Sequence, residues 1–170
     1  GQEVHLVLAS SSEISRHLNA LLGVGADTLQ SLISETEDTG IEIVDNGISE
    51  DLDISSAAED ASIIKFVNQV LTEAIERRAT DVHFEPFEDA LRVQYRVDGV
   101  LQEANIPPEV RQFQPAIVSR LKILSHLDIA EKRLPQDGRI KLKVSTREVD
   151  VRVSIIPMIY GEAVVLRLLD

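Results

Sequence analysis

The stretch AEKRLPQDGRIKLKVSTREVDVRVS, residues 130–154, decides how this chain is read. It gathers Arg133, Arg139, Arg147 and Arg152, with Lys132, Lys141 and Lys143, into a segment that otherwise has the pattern of two short strands. Alternate side chains of a strand go to opposite faces. Ile140, Leu142 and Val144 therefore point one way, and Arg139, Lys141 and Lys143 the other. The result is a cationic stripe on an apolar-backed sheet, a way to present charge to phosphate groups. A solvated sheet face is the plain alternative, and spacing alone does not separate the two.

Outward from this stretch, strand and helix signals alternate. Residues 136–138, QDG, read as a turn, followed by a strand from Arg139, a tight turn at Ser145-Thr146 and a strand over 147–156. A loop holding Pro157 and Gly161 leads to a last strand, AVVLRLL, at 163–169. Upstream, DVHFEP (81–86) is a short strand, and LRVQYRV (91–97) alternates cleanly, with Leu91, Val93, Tyr95 and Val97 on one face. Asp98-Gly99 is a two-residue hairpin signal, and VLQEANI (100–106) returns from it. Pro107-Pro108 break the chain, and Pro115 sits near the start of a helix running to about Leu127. Residues 61–79 carry an apolar stripe of Ile63, Ile64, Val67, Val70, Leu71, Ala74 and Ile75, with Asp60 or Ser62 available as a cap. Arg77 and Arg78 complement the dipole of its last turn. Helix, three strands, helix, three strands points to an α+β domain, an antiparallel sheet with helices packed against it. Ile64, Val67, Leu71, Leu91, Val93, Val97, Leu121, Leu142, Val151 and Leu166 are expected in its core.

The first third of the chain differs. Residues 4–9 read as a strand, Ser11 or Ser12 as the cap of a helix carrying Ile14, Leu18, Leu21 and Leu22, and 26–34 as a second short helix. Residues 1–34 are too few to bury a good core alone, and look like a remnant of an α/β unit. Residues 35–60 are acidic and free of aromatics, and read as a mobile linker or a partner-docking segment. Ile41, Ile43 and Val44 can form a strand there if an edge is available.

Charge and composition exclude several classes. Residues 1–60 hold thirteen acidic residues and one basic, whereas residues 61–170 are balanced. That distribution argues against a general nucleic-acid binder, which needs a cationic excess. No apolar run is long enough to span a membrane, and no leader peptide is visible. Absence of cysteine rules out disulfides and thiolate zinc sites, and fits a cytoplasmic chain. His5, His17, His83 and His126 lack metal-ligand spacing, so no metal site is expected. None of the eight glycines precedes a lysine, so there is no Walker A loop to cradle a triphosphate.

Four blocks then bring a resemblance: ATDVHFEP (79–86), LRVQYRVDGVL (91–101), LDIAEKRLPQDGRIKL (127–142) and VDVRVSIIPMIYGEAVVLRLLD (149–170). In that order they resemble the secretion and pilus-assembly ATPases, the family of the E protein of type II secretion and of the extension ATPase of type IV pili. The resemblance covers about residues 60–170, and RLPQDGR is its sharpest element. It implies that 61–170 is the PAS-like α+β domain preceding a RecA-like ATPase core, with the core's nucleotide motifs beyond Asp170. It implies a hexameric ring in which Arg139, Arg152, Arg147 and Arg133 approach the terminal phosphates of ATP, held with Mg by an ATPase domain. Arg139 and Arg152 rank first; Arg133 has a structural alternative, pairing with Glu131 or Asp128. More weakly, residues 1–34 resemble the end of the family's N-terminal domain, which docks on an inner-membrane platform protein. That implies a cytoplasmic, peripheral location. Nucleotide-binding repeats for cyclic di-GMP are not recognisable in 1–34.

A sensor module with a buried ligand cavity is the alternative from another class; it requires convergent polar groups inside the core, where a clamp requires a filled core and exterior arginines. The choice between type II secretion and pilus assembly stays open, with a lean to secretion. The chain itself is expected not to hydrolyse ATP. Turnover above a buffer blank that disappears on mutating one of its own residues contradicts that expectation.

Overall fold

Alternation of apolar and polar residues builds a seven-stranded antiparallel sheet, and helical spacing builds the helices that cover one face of it. The computed structural model describes residues 54–144 and 147–169, the strand at 41–43, and five single positions near the N-terminus. In chain order the elements are β1 (Ile41–Ile43), α1 (Ile54–Glu76), β2 (Asp81–Pro86), β3 (Leu91–Val97), β4 (Val100–Glu103), a 3-10 turn (Pro108–Phe113), α2 (Gln114–Leu124), β5 (Gln136–Val144), β6 (Arg147–Met158) and β7 (Gly161–Leu169). The strand order is β1-β5-β6-β7-β2-β3-β4. Two meanders, β2-β3-β4 and β5-β6-β7, are thus joined where the last strand pairs with β2. The α+β reading holds.

Inward-pointing residues of all the longer strands form one core with the helices. Val82, Phe84, Val93, Tyr95, Ile140, Leu142, Val151, Val153, Ile155, Val164 and Leu166 meet Phe66, Val67, Val70 and Leu71 of α1 and Ile117, Val118 and Leu121 of α2. Eight of the ten expected core residues are buried, while Ile64 and Val97 are only partly so. Ile63 takes the inner position on α1 in place of Ile64, and Val97 sits at the end of β3 beside the turn. The buried Tyr95 hydroxyl donates to Glu73 at 2.9 Å, and Arg77 lies over its ring, 5.1 Å from the centroid. Burial first, then the Glu73 charge, pushes the Tyr95 phenol well above its ordinary range.

Both helices stop by the same device. Arg78 and His126 adopt left-handed backbone, with φ of 54° and 56°. Ala79 N–H then reaches the Ala74 carbonyl at 2.8 Å and Arg78 N–H the Ile75 carbonyl at 3.0 Å; Leu127 and His126 repeat the pattern with Lys122 and Ile123. These are Schellman caps without the usual glycine, and they end α1 at Glu76 rather than 79, and α2 at Leu124 rather than Leu127. The Asp98-Gly99 hairpin is as expected, both residues at positive φ (51° and 82°), the signature of a type I′ turn.

Other boundaries differ from the sequence expectation. α1 starts at Ile54, so Asp60 and Ser62 lie inside it and cannot cap it; ISSAAED contains no breaker to stop the helix extending backwards. β5 starts at Gln136, so QDG is strand and not turn. Gly138 is there for close approach: a Cβ on it would lie 2.7 Å from the Ser125 carbonyl oxygen at the end of α2. Pro157 lies within β6, beyond the last residue paired to β5, so its missing N–H breaks no bond to that strand. β4 ends at Glu103, although Ala104 N–H still bonds the Val93 carbonyl. Near the N-terminus the cap is Ser10, in reciprocal contact with Glu13, rather than Ser11 or Ser12. Ile41–Ile43 finds its edge on β5, Ile41 opposite Val144 and Ile43 opposite Leu142. The strand at 4–9, the helix at 26–34 and the turn at Ser145-Thr146 lie outside the described residues, as does most of 35–60. Among the described residues no helix is long and apolar enough to cross a membrane.

Gly138→Ala is expected to cost about 1–3 kcal/mol, because the added methyl meets backbone that cannot rotate away. Leu121→Ala, at a fully buried site, is expected to cost about 2–5 kcal/mol. Denaturant unfolding measures both, and a near-neutral Gly138→Ala would contradict the tight approach of β5 to α2.

Candidate phosphate-binding site

The outer face of the sheet carries the charge. Register places Arg139 of β5 opposite Arg152 of β6, Arg152 opposite Arg167 of β7, Arg167 opposite Asp81 of β2, and Asp81 opposite Arg96 of β3. Directly opposed residues share a face and sit within reach of one another. One row of the sheet thus holds four guanidinium groups and one carboxylate.

Asp81 neutralises only its own end of the row. Its Oδ1 accepts from Arg167 Nε at 3.0 Å and its Oδ2 from the Thr80 hydroxyl at 2.8 Å, with Arg96 Nε 3.5 Å away. Burial raises the Asp81 carboxyl, but hydrogen bonds from Arg167 and Thr80 and the charges of Arg167 and His83 outweigh it, so the group titrates below its usual range. Arg96 also donates to the Gly99 carbonyl at 3.1 Å.

At the other end the positive charge is uncompensated. Among the described residues neither Arg139 nor Arg152 has an ion-pair partner. Asp150 and Glu148, the carboxylates that could have taken Arg152, stand opposite Lys141 and Lys143 instead. The lysines of the stripe therefore face acids across the ladder, while Arg139 and Arg152 face each other. Both are exposed. A shallow depression of about 370 Å³ lies between them, lined by Asp137, Gly138, Arg139, Arg152, Val153 and Ser154. Asp137 in its wall accepts a 2.5 Å hydrogen bond from the Ser154 hydroxyl. Like charges directly opposite destabilise a sheet; an anion between two planar, permanently charged forks relieves that repulsion and gains bidentate hydrogen bonds.

The remaining arginines singled out from the sequence do not join this pair. Arg133 lies on the loop before β5 and is held by Glu131: its backbone N–H donates to Glu131 Oε1 at 2.6 Å and its Nη2 to Oε2 at 3.0 Å. The Arg133 side-chain contact, then its backbone contact, hold the Glu131 carboxyl below its ordinary range, and Glu131 raises the Arg133 guanidinium. Arg147 stands on β6 opposite Val144, and its side chain lies outside the described residues.

Sequence reasoning missed two features. Arg167 extends the arginine row, and the signal was there: it alternates with the buried Leu166 and so faces outward with Arg152. Lys122 is buried in α2, its Nζ 2.6 Å from Glu162 Oε1 and 2.6 Å from the Glu131 carbonyl. Its position one turn after Val118, on the apolar side of the helix, was the only hint.

Fold and site together describe an α+β domain with a filled core and exterior arginines. The family whose members are described as type II/IV secretion system proteins matches residues 56–170. The chain belongs to that family. It is 41% identical over its whole length to a type IV pilus assembly ATPase, PilB, of Myxococcus xanthus, covering 30% of that protein. It is 43% identical over its whole length to the type II secretion system protein E of Xanthomonas campestris pv. campestris, covering 29%. Over 72% of the chain it is 52% identical to the type II secretion system protein E of Pseudomonas aeruginosa, covering 24% of that protein. The chain thus spans under a third of the length of these relatives.

Asp81→Asn is expected to lower stability at neutral pH by about 1–3 kcal/mol, the range for hydrogen bonds to a charged group. Because the folded carboxyl titrates below the unfolded value of about 3.9, its contribution is complete above that value and is lost as pH falls through the folded pKa. Unfolding curves of wild type and variant should therefore converge on acidification below pH ~4. A gap independent of pH down to full protonation would contradict the charge-based account.

Proposed function

We propose that this domain is the clamp of a secretion or pilus-assembly ATPase, presenting Arg139 and Arg152 to the phosphates of ATP held by an ATPase domain elsewhere in the assembly. The observation that carries the reading is the facing pair of exposed guanidiniums, neither of them in an ion pair, beside a depression whose carboxylate, Asp137, is taken up by the Ser154 hydroxyl. Register sets Lys141 and Lys143 opposite Asp150 and Glu148, whereas it sets these two arginines opposite each other. Large fully buried side chains, Tyr95, Phe84 and Leu71 among them, occupy the space between sheet and helices. That filling favours a clamp over a ligand-sensing cavity.

In this reading the whole protein is an ATP hydrolase that uses ATP and Mg, and works as a hexameric ring powering type II secretion, with pilus assembly as the alternative. Its partners are its own ATPase domain, the neighbouring subunits and, through the N-terminal region, an inner-membrane platform protein; nucleic acid is not a partner. It is cytoplasmic, reaching the membrane through that platform. Residues 1–34 serve as the tail of the docking region and 35–60 as the acidic segment that leads into the clamp, adding its strand Ile41–Ile43 to β5 and entering α1 at Ile54. ATP supplies the phosphoryl group whose charge a guanidinium stabilises. Arg139 and Arg152 fit its terminal phosphates as paired forks, Arg167 stands next in the row as a reserve partly held by Asp81, and Arg133 is committed to Glu131; Arg147 remains a candidate on the strength of the family resemblance.

The test is Arg139→Ala and Arg152→Ala in the full-length ATPase. Arginine fingers elsewhere contribute roughly 10³–10⁵ in rate, and the effect here is expected at or below the low end because Arg167 shares the load. Removing one of two opposed like charges should leave melting temperature unchanged or slightly raised. Activity lost together with stability would make these arginines structural. Full activity in the Arg→Lys variants would show that charge alone suffices and that bidentate recognition is wrong.

A further inference from the structure

We propose that Lys122 and Glu162 are positioning residues for the arginine pair: a buried ion pair that fixes the loop leading into β5, and so sets where Arg139 stands. The proposal rests on the phosphate-binding reading of that pair.

The Lys122 side chain is 1% exposed and that of Glu162 10%. Besides Glu162, the Lys122 ammonium donates to the Glu131 carbonyl at 2.6 Å. Gln136, the first residue of β5, holds the same loop from the other side. Its Nε2 donates to the Asp128 carbonyl at 2.9 Å and the Glu131 carbonyl at 3.2 Å, and its Oε1 accepts from the Asp128 N–H at 2.9 Å. Two residues on, Gly138 lies against Ser125 and Leu127 at the end of α2. Arg139 follows directly. The loop is thus pinned by a buried charge on α2, itself paired with Glu162 at the start of β7, and by an amide on β5. Glu131, whose carbonyl Lys122 grips, in turn holds Arg133 with its carboxylate.

Stability does not explain this arrangement. Desolvating two charges cancels most of their attraction, and well-packed apolar replacements of a buried pair are often neutral or stabilising. What an ion pair supplies and an apolar pair does not is direction: the ammonium donates to the Glu131 carbonyl while its charge stands 2.6 Å from Glu162 Oε1, which accepts no hydrogen bond and is held by that charge alone. Two opposed guanidiniums need such direction, because their mutual repulsion drives them apart whenever the strand that carries one can shift.

The experiment measures binding of inorganic triphosphate to the 170-residue chain by calorimetry, alongside thermal unfolding. Lys122→Met/Glu162→Leu is expected to melt at or above the wild-type temperature yet bind triphosphate about tenfold more weakly, short of the ~100-fold that a 1 Å misplacement can cost a reaction. A folded double variant with wild-type affinity overturns the proposal. Gln136→Ala cuts the same tether without touching a buried charge, and decides the matter if the double variant does not fold. A weakened affinity at unchanged melting temperature supports the proposal, and unchanged affinity overturns it. Arg139→Ala/Arg152→Ala is the control. Unchanged affinity there removes the phosphate-binding reading and this proposal with it, whereas lost affinity there with none lost in the loop variants overturns the positioning role alone.

Discussion

The pairing of β7 with β2 is the constraint on which the rest of the structure depends. Without it the domain is two separate meanders, each too small to bury a core. With it, Val82 and Phe84 come alongside Leu166 and Val164, and a single apolar face opens to both helices. Leu168 N–H extends the join by bonding the Thr80 carbonyl at 2.9 Å. The same pairing builds the outer face, because it brings Asp81 opposite Arg167 and so anchors one end of the arginine row to a carboxylate. Core and candidate site are two sides of one register, and a slip of one residue would exchange them.

The row is graded along its length. At the β2 end Asp81 serves both Arg167 and Arg96, and its one negative charge offsets half of theirs. At the β5 end Arg139 and Arg152 are opposed and in no ion pair, held there by the β5–β6 ladder together with the contacts that fix the start of β5. Strain of this electrostatic kind is cheap where both groups reach solvent, and it becomes favourable when an anion arrives. Behind the row lie the devices that keep β5 in place: Gly138 against the end of α2, the Lys122–Glu162 pair, and the amide of Gln136. The acidic segment upstream contributes a strand on the far edge of β5, where register places Glu42 opposite Lys143.

Faces were legible in the sequence, and neighbours were not. Alternation in LRVQYRV and REVDVRVS fixed which residues point inward, and the type I′ turn followed from Asp98-Gly99 alone. The pairing of Arg139 with Arg152 was not readable in that way, since it depends on which residues oppose across the hairpin. Arg167 and Asp81 meet over a separation of 86 positions, so no local pattern marks them. Helix ends fall short of the periodicity because Arg78 and His126 close their helices in a conformation usually given to glycine. QDG has the pattern of a turn and is strand, because a glycine required by packing looks, in sequence, like one required by backbone φ. Lys122 carries little signal in the sequence, since a lysine on a helix is usually solvated, and the placement of Glu162 beyond the Gly161 turn is what makes it a core residue.

The central claim is that Arg139 and Arg152 form the anion site of this domain. Arginine Nε–H resonances report it directly, in an NMR titration of the 170-residue chain with inorganic triphosphate at low ionic strength. The account predicts that the side-chain signals of Arg139 and Arg152 shift together and saturate, that Arg167 follows with a smaller change, and that Arg133, committed to Glu131, stays in place. Equal small shifts at all exposed arginines and lysines, or a response led by Arg133, would contradict it.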